Sequence, residues 1–231
     1  ALRILTHSFK GKGNDAFALT YSTLAAIAKY PCASIAKDKN YIYRKKYGFF
    51  QSEQETFQRI ASELRMEKVL DSPLIYKRHP LVYLVEAADD ICYSIIDLED
   101  AHRLKILSFD EVKALLLPFA NDPKIEERLA RDYDHEAQIG LLRAKAVNTL
   151  ARLCSEIFYH EQEALLKGDF NRSLTDALPQ EYAEPWAAIG KVSVDRIYNY
   201  SSVIHKEVAG YKVMAGLLEE FVPALIHNNT H

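Results

Sequence analysis

The sequence predicts an all-α protein, an irregular multi-helix bundle, and three observations carry that expectation. Apolar residues recur at helical spacing through nearly every segment. Two capping-box patterns, Ser52 to Glu55 and Ser108 to Glu111, stand at the starts of such runs. No Asn-Gly or Asp-Gly turn and no sustained period-two alternation marks a hairpin. Nor is there a repeat of 20–50 residues or a low-complexity tract.

In chain order, Ala16 to Lys29 is helix-periodic and stops at Tyr30-Pro31, where proline forbids continuation. Lys37 to Phe50 is a loop dense in Lys, Arg and Tyr. The first capping box opens a helix to about Lys68. Pro80 suits the first turn of a helix that runs to about Ala101. The second capping box begins a short helix to about Pro118, and Asn121-Asp122-Pro123 starts another. His135 to Lys167 is long and periodic, with Gly168 as its C′ residue. Ser173 to Leu178 is a short amphipathic piece. Glu184 to Arg196 is helical around Trp186, and His205 to Ile226 completes the set. Trp186, Tyr198, Tyr200 and Tyr211 have core spacing.

Composition sets bounds. With 231 residues, 48% hydrophobic and 26% charged, the chain has the make-up of a globular protein able to bury a sizeable core. A net charge of −3 gives no global drive toward nucleic acid or anionic membrane. Three separated cysteines, Cys32, Cys92 and Cys154, read as free thiols and exclude a cysteine zinc site. No run of 18 apolar residues and no signal peptide is present, so the expectation is a cytoplasmic protein without a membrane partner. The chain opens on Ala1-Leu2-Arg3-Ile4, with no initiator methionine, and both ends read as cut.

The densest chemistry lies between Val85 and Asp100, an apolar helix pattern with six carboxylates in the fifteen residues from Glu86. Asp89, Tyr93 and Asp97, at i, i+4 and i+8, share one helix face with a drift of about 40° per step. Acids among Val85, Ala88, Ile91, Cys92, Ile95 and Ile96 are costly to bury without partners. A cleft for a metal, phosphate or sugar answers that cost. So does ion pairing to Arg143, Lys145 and similar groups inside a bundle, and spacing alone leaves both open. Asp89, the most apolar-flanked acid, is the candidate metal ligand, and it needs partners elsewhere because one helix supplies only one or two ligands. Other groups point to chemistry less strongly. His79 precedes the helix. His135, Glu136, His160 and Glu161 lack the i, i+3 spacing of a bundle di-metal site. The Lys37–Phe50 run is either a single-stranded DNA surface or a solvated loop with a few buried rings, and the loop is preferred.

The LVEAADDICYSIIDLEDA core within Pro80 to Ala101 resembles the C-terminal motif of the HD-domain deoxynucleoside triphosphate triphosphohydrolases, the bacterial dGTPase family. LTYSTLAAIAKYP (19–31), KKYGFFQSE (45–53), LLRAKAVNTL (141–150) and EVAGYKVMAGLL (207–218) resemble further segments of that family in the same order. The resemblance implies an HD-domain-like helical fold, with residues 1–120 part of the catalytic core and 121–231 a C-terminal helical part packed on it. It implies hydrolysis of a dNTP, dGTP foremost, to deoxynucleoside and inorganic triphosphate. The implied cofactor is one divalent metal (Mg, Mn or similar) held by two histidines and two aspartates. Asp89 matches the last metal aspartate, and Tyr93 and Asp97 match substrate contacts near the phosphates or sugar and the 3′-hydroxyl. Lys29 and Tyr30 match a pair that reaches the phosphates, where cationic charge suits a triphosphate. Glu207 matches an acid near the nucleobase. Family members form homo-oligomers, so self-association of the intact protein is expected.

The family's isolated His and its His-Asp dipeptide are missing, because none of the eight histidines precedes an aspartate. The chain is therefore expected to be the middle and C-terminal part of such an enzyme, with no catalytic residue of its own. As this piece it should hold the metal weakly or not at all, and it should be inactive. An HD-family phosphohydrolase for another nucleotide and a non-catalytic helical scaffold are the alternatives.

Overall fold

A computed structural model describes residues 1–8, 17–131 and 134–228. The described residues include ten α-helices and one two-stranded hairpin, so the molecule is all-α with irregular helix lengths. It divides into two compact units: Ala1–Tyr93 with Ala144–Ala183, and Ser94–Arg143 with Glu184–His231.

The first unit begins with α1 (Leu2–Thr6) and α2 (Tyr21–Ala26). α2 is shorter than its periodicity suggests. The Thr20 side chain accepts the Thr23 amide at 3.2 Å and fixes the start there, and Ala16 lies outside the described residues. The capping box expected at Ser52 does not form. Ser52 to Glu53 completes a 3₁₀ turn (Gln51–Glu53), and Glu53 is engaged by Arg3 at 3.0 Å instead. α3 (Gln54–Glu63) ends five residues before Lys68, just ahead of Arg65 at φ 52°.

Between α3 and the acid-bearing helix lies a hairpin that no turn signal in the sequence announces. β1 (Lys68–Asp71) pairs antiparallel with β2 (Leu74–Tyr76) around a cis Ser72-Pro73 peptide. β1 is wholly exposed and β2 wholly buried. The inner edge of β2 carries the segment after α2. The Tyr76 amide donates to the Pro31 carbonyl at 2.9 Å, and the Ala33 amide donates to the Leu74 carbonyl at 3.0 Å. Leu24, Ala25, Ala28, Phe49, Phe57, Ile60, Leu74 and Tyr76 form one core cluster. Within it Phe49 stacks on Phe57 with ring centroids 4.7 Å apart.

Next comes α4 (Leu81–Arg103), which bears the acids. Its residues to Tyr93 belong to the first unit and those from Ser94 to the second. The second unit continues with α5 (Phe109–Leu116), which carries the expected capping box in full, and α6 (Ile125–Leu129). α7 (His135–His160) is succeeded by α8 (Gln162–Leu166) in the first unit. α8 closes as a Schellman motif: the Gly168 amide bonds the Leu165 carbonyl and the Asp169 amide the Ala164 carbonyl, with Gly168 at φ +67°.

α9 (Gln180–Val192) passes into a π-helical turn over Ser193–Tyr198, and α10 (Ser201–Asn228) ends the described chain. The aromatic residues with core spacing are not core. Trp186 is half-buried, Tyr200 is exposed, and Tyr211 is 79% exposed because α10 is open to solvent along almost its whole length. No described helix is long and apolar enough to cross a membrane.

Candidate functional site

The acids of α4 sort onto two faces. Val82, Tyr83, Glu86, Ala87, Ile91, Ile95, Leu98, Glu99 and Ala101 are buried, which is the 3.6-residue stripe of a packed helix. Leu81, Val85, Ala88, Asp89, Cys92, Tyr93, Ile96 and Asp100 are exposed. Asp89 and Tyr93 thus stand one turn apart on the open face, flanked by apolar Val85, Ala88 and Ile96.

The two buried acids of the stripe are each shared between two cations. In the first unit Glu86 accepts Arg78 Nη1 at 2.8 Å on one oxygen and Lys29 Nζ at 3.0 Å on the other. In the second unit Glu99 accepts Arg103 at 2.8 Å and Arg143 at 2.6 Å. Asp97, half-buried in the second unit, accepts the Tyr198 hydroxyl at 2.8 Å. Burial pushes the Asp97 carboxyl above the usual range and Asp100 adds to this, while the Tyr198 hydrogen bond opposes them. Asp90 is half-buried in the first unit. Desolvation raises its pKa against the opposing charge of Lys29, and Glu86, Asp89 and Asp176 raise it further.

Lys29 and Tyr30 leave the end of α2 in a tightly held segment. Pro31 and Ala33 lie against β2, and the loop at Gly48 presses on Tyr30 so closely that a Cβ there would sit 2.4 Å from the Tyr30 carbonyl oxygen. Cys32 is fully buried behind this segment, with its thiol 3.3 Å from the Lys46 carbonyl and pushed up to about 11 by burial. The Lys29 side chain remains a third exposed. Partial burial disfavours its charge, but the Glu86 hydrogen bond and the nearby acids outweigh that and raise its pKa. Tyr30 is half-buried, its ring 5.8 Å from the Arg78 guanidinium.

The structure brings Lys29, Tyr30, Arg78 and Glu86 together in the first unit, where Asp89 and Tyr93 also lie. Asp97 and Glu207 belong to the second unit, and Glu207 is exposed on α10. Spacing gives no hint of Arg78, whose position before the His79-Pro80 turn has no helical relation to Glu86. Glu86 itself lies inside the acidic motif, and its one sequence signal is a place on the same face as Tyr83 and Ala87. The Lys37–Phe50 run is mixed: Phe49 is buried while Tyr41, Tyr47 and Phe50 are exposed. His135 stacks on Phe109 at 3.9 Å, and His160 closes the other end of α7. Among the described residues no three His, Cys, Asp or Glu side chains converge as a metal cage. A divalent cation wants several oxygen or nitrogen ligands, so Asp89 by itself is at most one corner of a site.

Fold and composition define the class first: an all-α helical protein with a solvent-facing carboxylate–phenol pair beside buried ion pairs. Comparison adds named relatives. The chain is 31% identical to the deoxyguanosinetriphosphate triphosphohydrolase-like protein of Synechocystis sp., over 97% of this chain and 51% of that protein. It is 32% identical to the like-named protein of Pseudomonas aeruginosa over the same shares. Against the deoxyguanosinetriphosphate triphosphohydrolase of Yersinia enterocolitica it is 28% identical over 90% of this chain and 43% of that protein. No family model matches the chain. The chain is thus similar over nearly its whole length to proteins of these names, and it spans about half the length of the curated relatives it matches.

Proposed function

We propose that this chain is the substrate-side portion of a metal-dependent enzyme that hydrolyses a dNTP, dGTP foremost, to deoxynucleoside and inorganic triphosphate. The observation that supports this most is the sorting of acids on α4. Glu86 and Glu99 are consumed by buried ion pairs, whereas Asp89 faces solvent and makes no ion pair among the described residues. An exposed carboxylate without an ion pair, set beside Val85 and Ile96, gives the fold little, and it suits a face that meets a ligand. In this reading Asp89 is one metal ligand, and Tyr93 contacts the nucleotide through a hydroxyl able to donate to phosphate or sugar oxygens. Asp97 accepts from the sugar, Lys29 and Tyr30 reach the phosphates, and Glu207 lies near the base. The remaining metal ligands and the proton-transfer group come from outside this chain. This portion alone is inactive, and the intact enzyme is a homo-oligomer.

A scaffold role is the second reading, favoured by the doubly paired Glu86 and Glu99. One experiment separates the two. The full polypeptide of the gene and the 231-residue chain are each incubated with four dNTPs, with and without Mg or Mn, and inorganic triphosphate is quantified. Release of triphosphate from dGTP by the full polypeptide, only with metal and not in its Asp89→Asn variant, is the expected result. Turnover by the 231-residue chain, or none by the full polypeptide, overturns the proposal.

A further inference from the structure

Arg78 is a fully engaged side chain of the first unit. Its side chain is 1% exposed, and all three of its nitrogens donate: Nε to the Lys29 carbonyl at 2.9 Å, Nη1 to Glu86 at 2.8 Å and Nη2 to the Ile42 carbonyl at 3.1 Å. Its guanidinium lies 5.8 Å from the Tyr30 ring centroid and 5.3 Å from that of Tyr83. One planar group therefore ties the end of α2, the Lys37–Phe50 loop and α4 to each other. A lysine in its place, with three donors on one point, cannot serve three acceptors spread in a plane.

The second oxygen of Glu86 then takes the ammonium of Lys29. Lys29 is thus held twice, at its backbone carbonyl by Arg78 and at its side-chain tip by the carboxylate that Arg78 orients. An unrestrained lysine gives up rotamer entropy when it is fixed against a ligand. A lysine already fixed gives up less, which is how preorganisation raises affinity. An ammonium has three donors and Glu86 uses one, so a partly exposed Lys29 retains donors for an anion while it stays in one orientation.

We propose that Arg78 and Glu86 are positioning residues that present the Lys29 ammonium to the phosphates of a bound nucleotide. This rests on the reading that Lys29 faces those phosphates. It assigns to the Arg78–Glu86 pair a specificity role beyond packing, because the pair fixes where the phosphate tail lies relative to α4.

The test is calorimetric titration of the chain with inorganic triphosphate, and with deoxyguanosine as the reference ligand. The variants are Lys29→Ala, Glu86→Gln and Arg78→Lys, each checked for folding by circular dichroism and urea unfolding. Lys29→Ala is expected to weaken triphosphate binding about tenfold, the scale of one lost charge-assisted contact. Glu86→Gln, which keeps the shape but not the charge that aims Lys29, is expected to weaken it about fivefold, and Arg78→Lys by a similar factor. Binding of deoxyguanosine by the folded variants stays unchanged, a split that a purely structural role does not produce. If Lys29→Ala weakens triphosphate binding while Glu86→Gln leaves it as it was or tightens it, the positioning role falls and the phosphate-facing lysine stands. If Lys29→Ala itself changes nothing, or the wild-type chain takes no triphosphate, the underlying reading falls and takes the positioning role with it. Should Arg78→Lys fold poorly, Glu86→Gln decides alone.

Discussion

Glu86 and Asp89 lie three residues apart on one helix, carry the same charge, and live in opposite surroundings. Glu86 is buried and bridges two cations, while Asp89 is exposed and bridges none among the described residues. Glu99 repeats the first arrangement in the second unit. The difference teaches that a run of acids is not one feature. A buried carboxylate exists only because its desolvation is offset by partners, so its identity is fixed by folding. An open-face carboxylate owes nothing to folding, and its identity is available to a ligand.

The sharpest way to break this comparison is to remove a buried acid. Glu86→Ala leaves the Arg78 guanidinium buried and uncompensated, and the expected loss is about 3–5 kcal/mol in urea unfolding. Replacing both partners by apolar residues, Arg78→Met with Glu86→Leu, should recover much of that loss, because neither charge is then stranded. A loss under about 1 kcal/mol for Glu86→Ala alone would show that Arg78 finds water, and the two faces would not differ as described.

Glu99 sharpens the same point with a smaller effect. Its partners Arg103 and Arg143 are 52% and 42% exposed, so they rehydrate when the carboxylate goes. Glu99→Ala should therefore cost about 1–2 kcal/mol by thermal or urea unfolding, clearly less than Glu86→Ala. Equal losses would mean that the depth of the cation does not set the penalty.

Much of this organisation is legible in the sequence. Helical periodicity, the Ser108 capping box and Gly168 as a helix C′ all hold, because each depends on residues within a turn or two of one another. What fails is what depends on distant partners. Ser52 has the capping-box spacing, yet Glu53 answers Arg3, fifty residues away in sequence. The hairpin at Lys68–Tyr76 has strands of four and three residues and turns on Ser72-Pro73, so neither length nor turn chemistry marks it. Among the acids, spacing puts Asp89, Tyr93 and Asp97 on one face. It does not say that Arg78 waits for Glu86 or Tyr198 for Asp97, since those partners arrive through tertiary structure.

Asp97 stands between the two faces, half-buried with one neutral partner. Tyr198→Phe removes the bond that favours its charged form and leaves burial to dominate, so its carboxyl pKa should rise further, as tracked by carboxyl carbon NMR. An acid whose folded pKa lies above its unfolded one binds its proton more tightly when folded, so the fold gains stability as pH falls through the folded pKa. The variant should therefore gain more on acidification than the wild type, so that the stability deficit left by the lost hydrogen bond is largest where the carboxylate is charged and narrows as pH falls. A downward shift would mean that the hydroxyl opposes the charge rather than serving it.

The smallest stability effect carries the most information. Asp89→Asn changes an exposed residue with no ion pair among the described residues, so unfolding free energy should move by no more than about 0.5 kcal/mol. The same substitution in the full polypeptide is expected to abolish triphosphate release from dGTP. A fold indifferent to Asp89 alongside a reaction that depends on it leaves ligand contact as the reason for a carboxylate there. A destabilisation above about 1 kcal/mol would instead make Asp89 a scaffold acid like Glu86, and the open face of α4 would lose its claim to be a site.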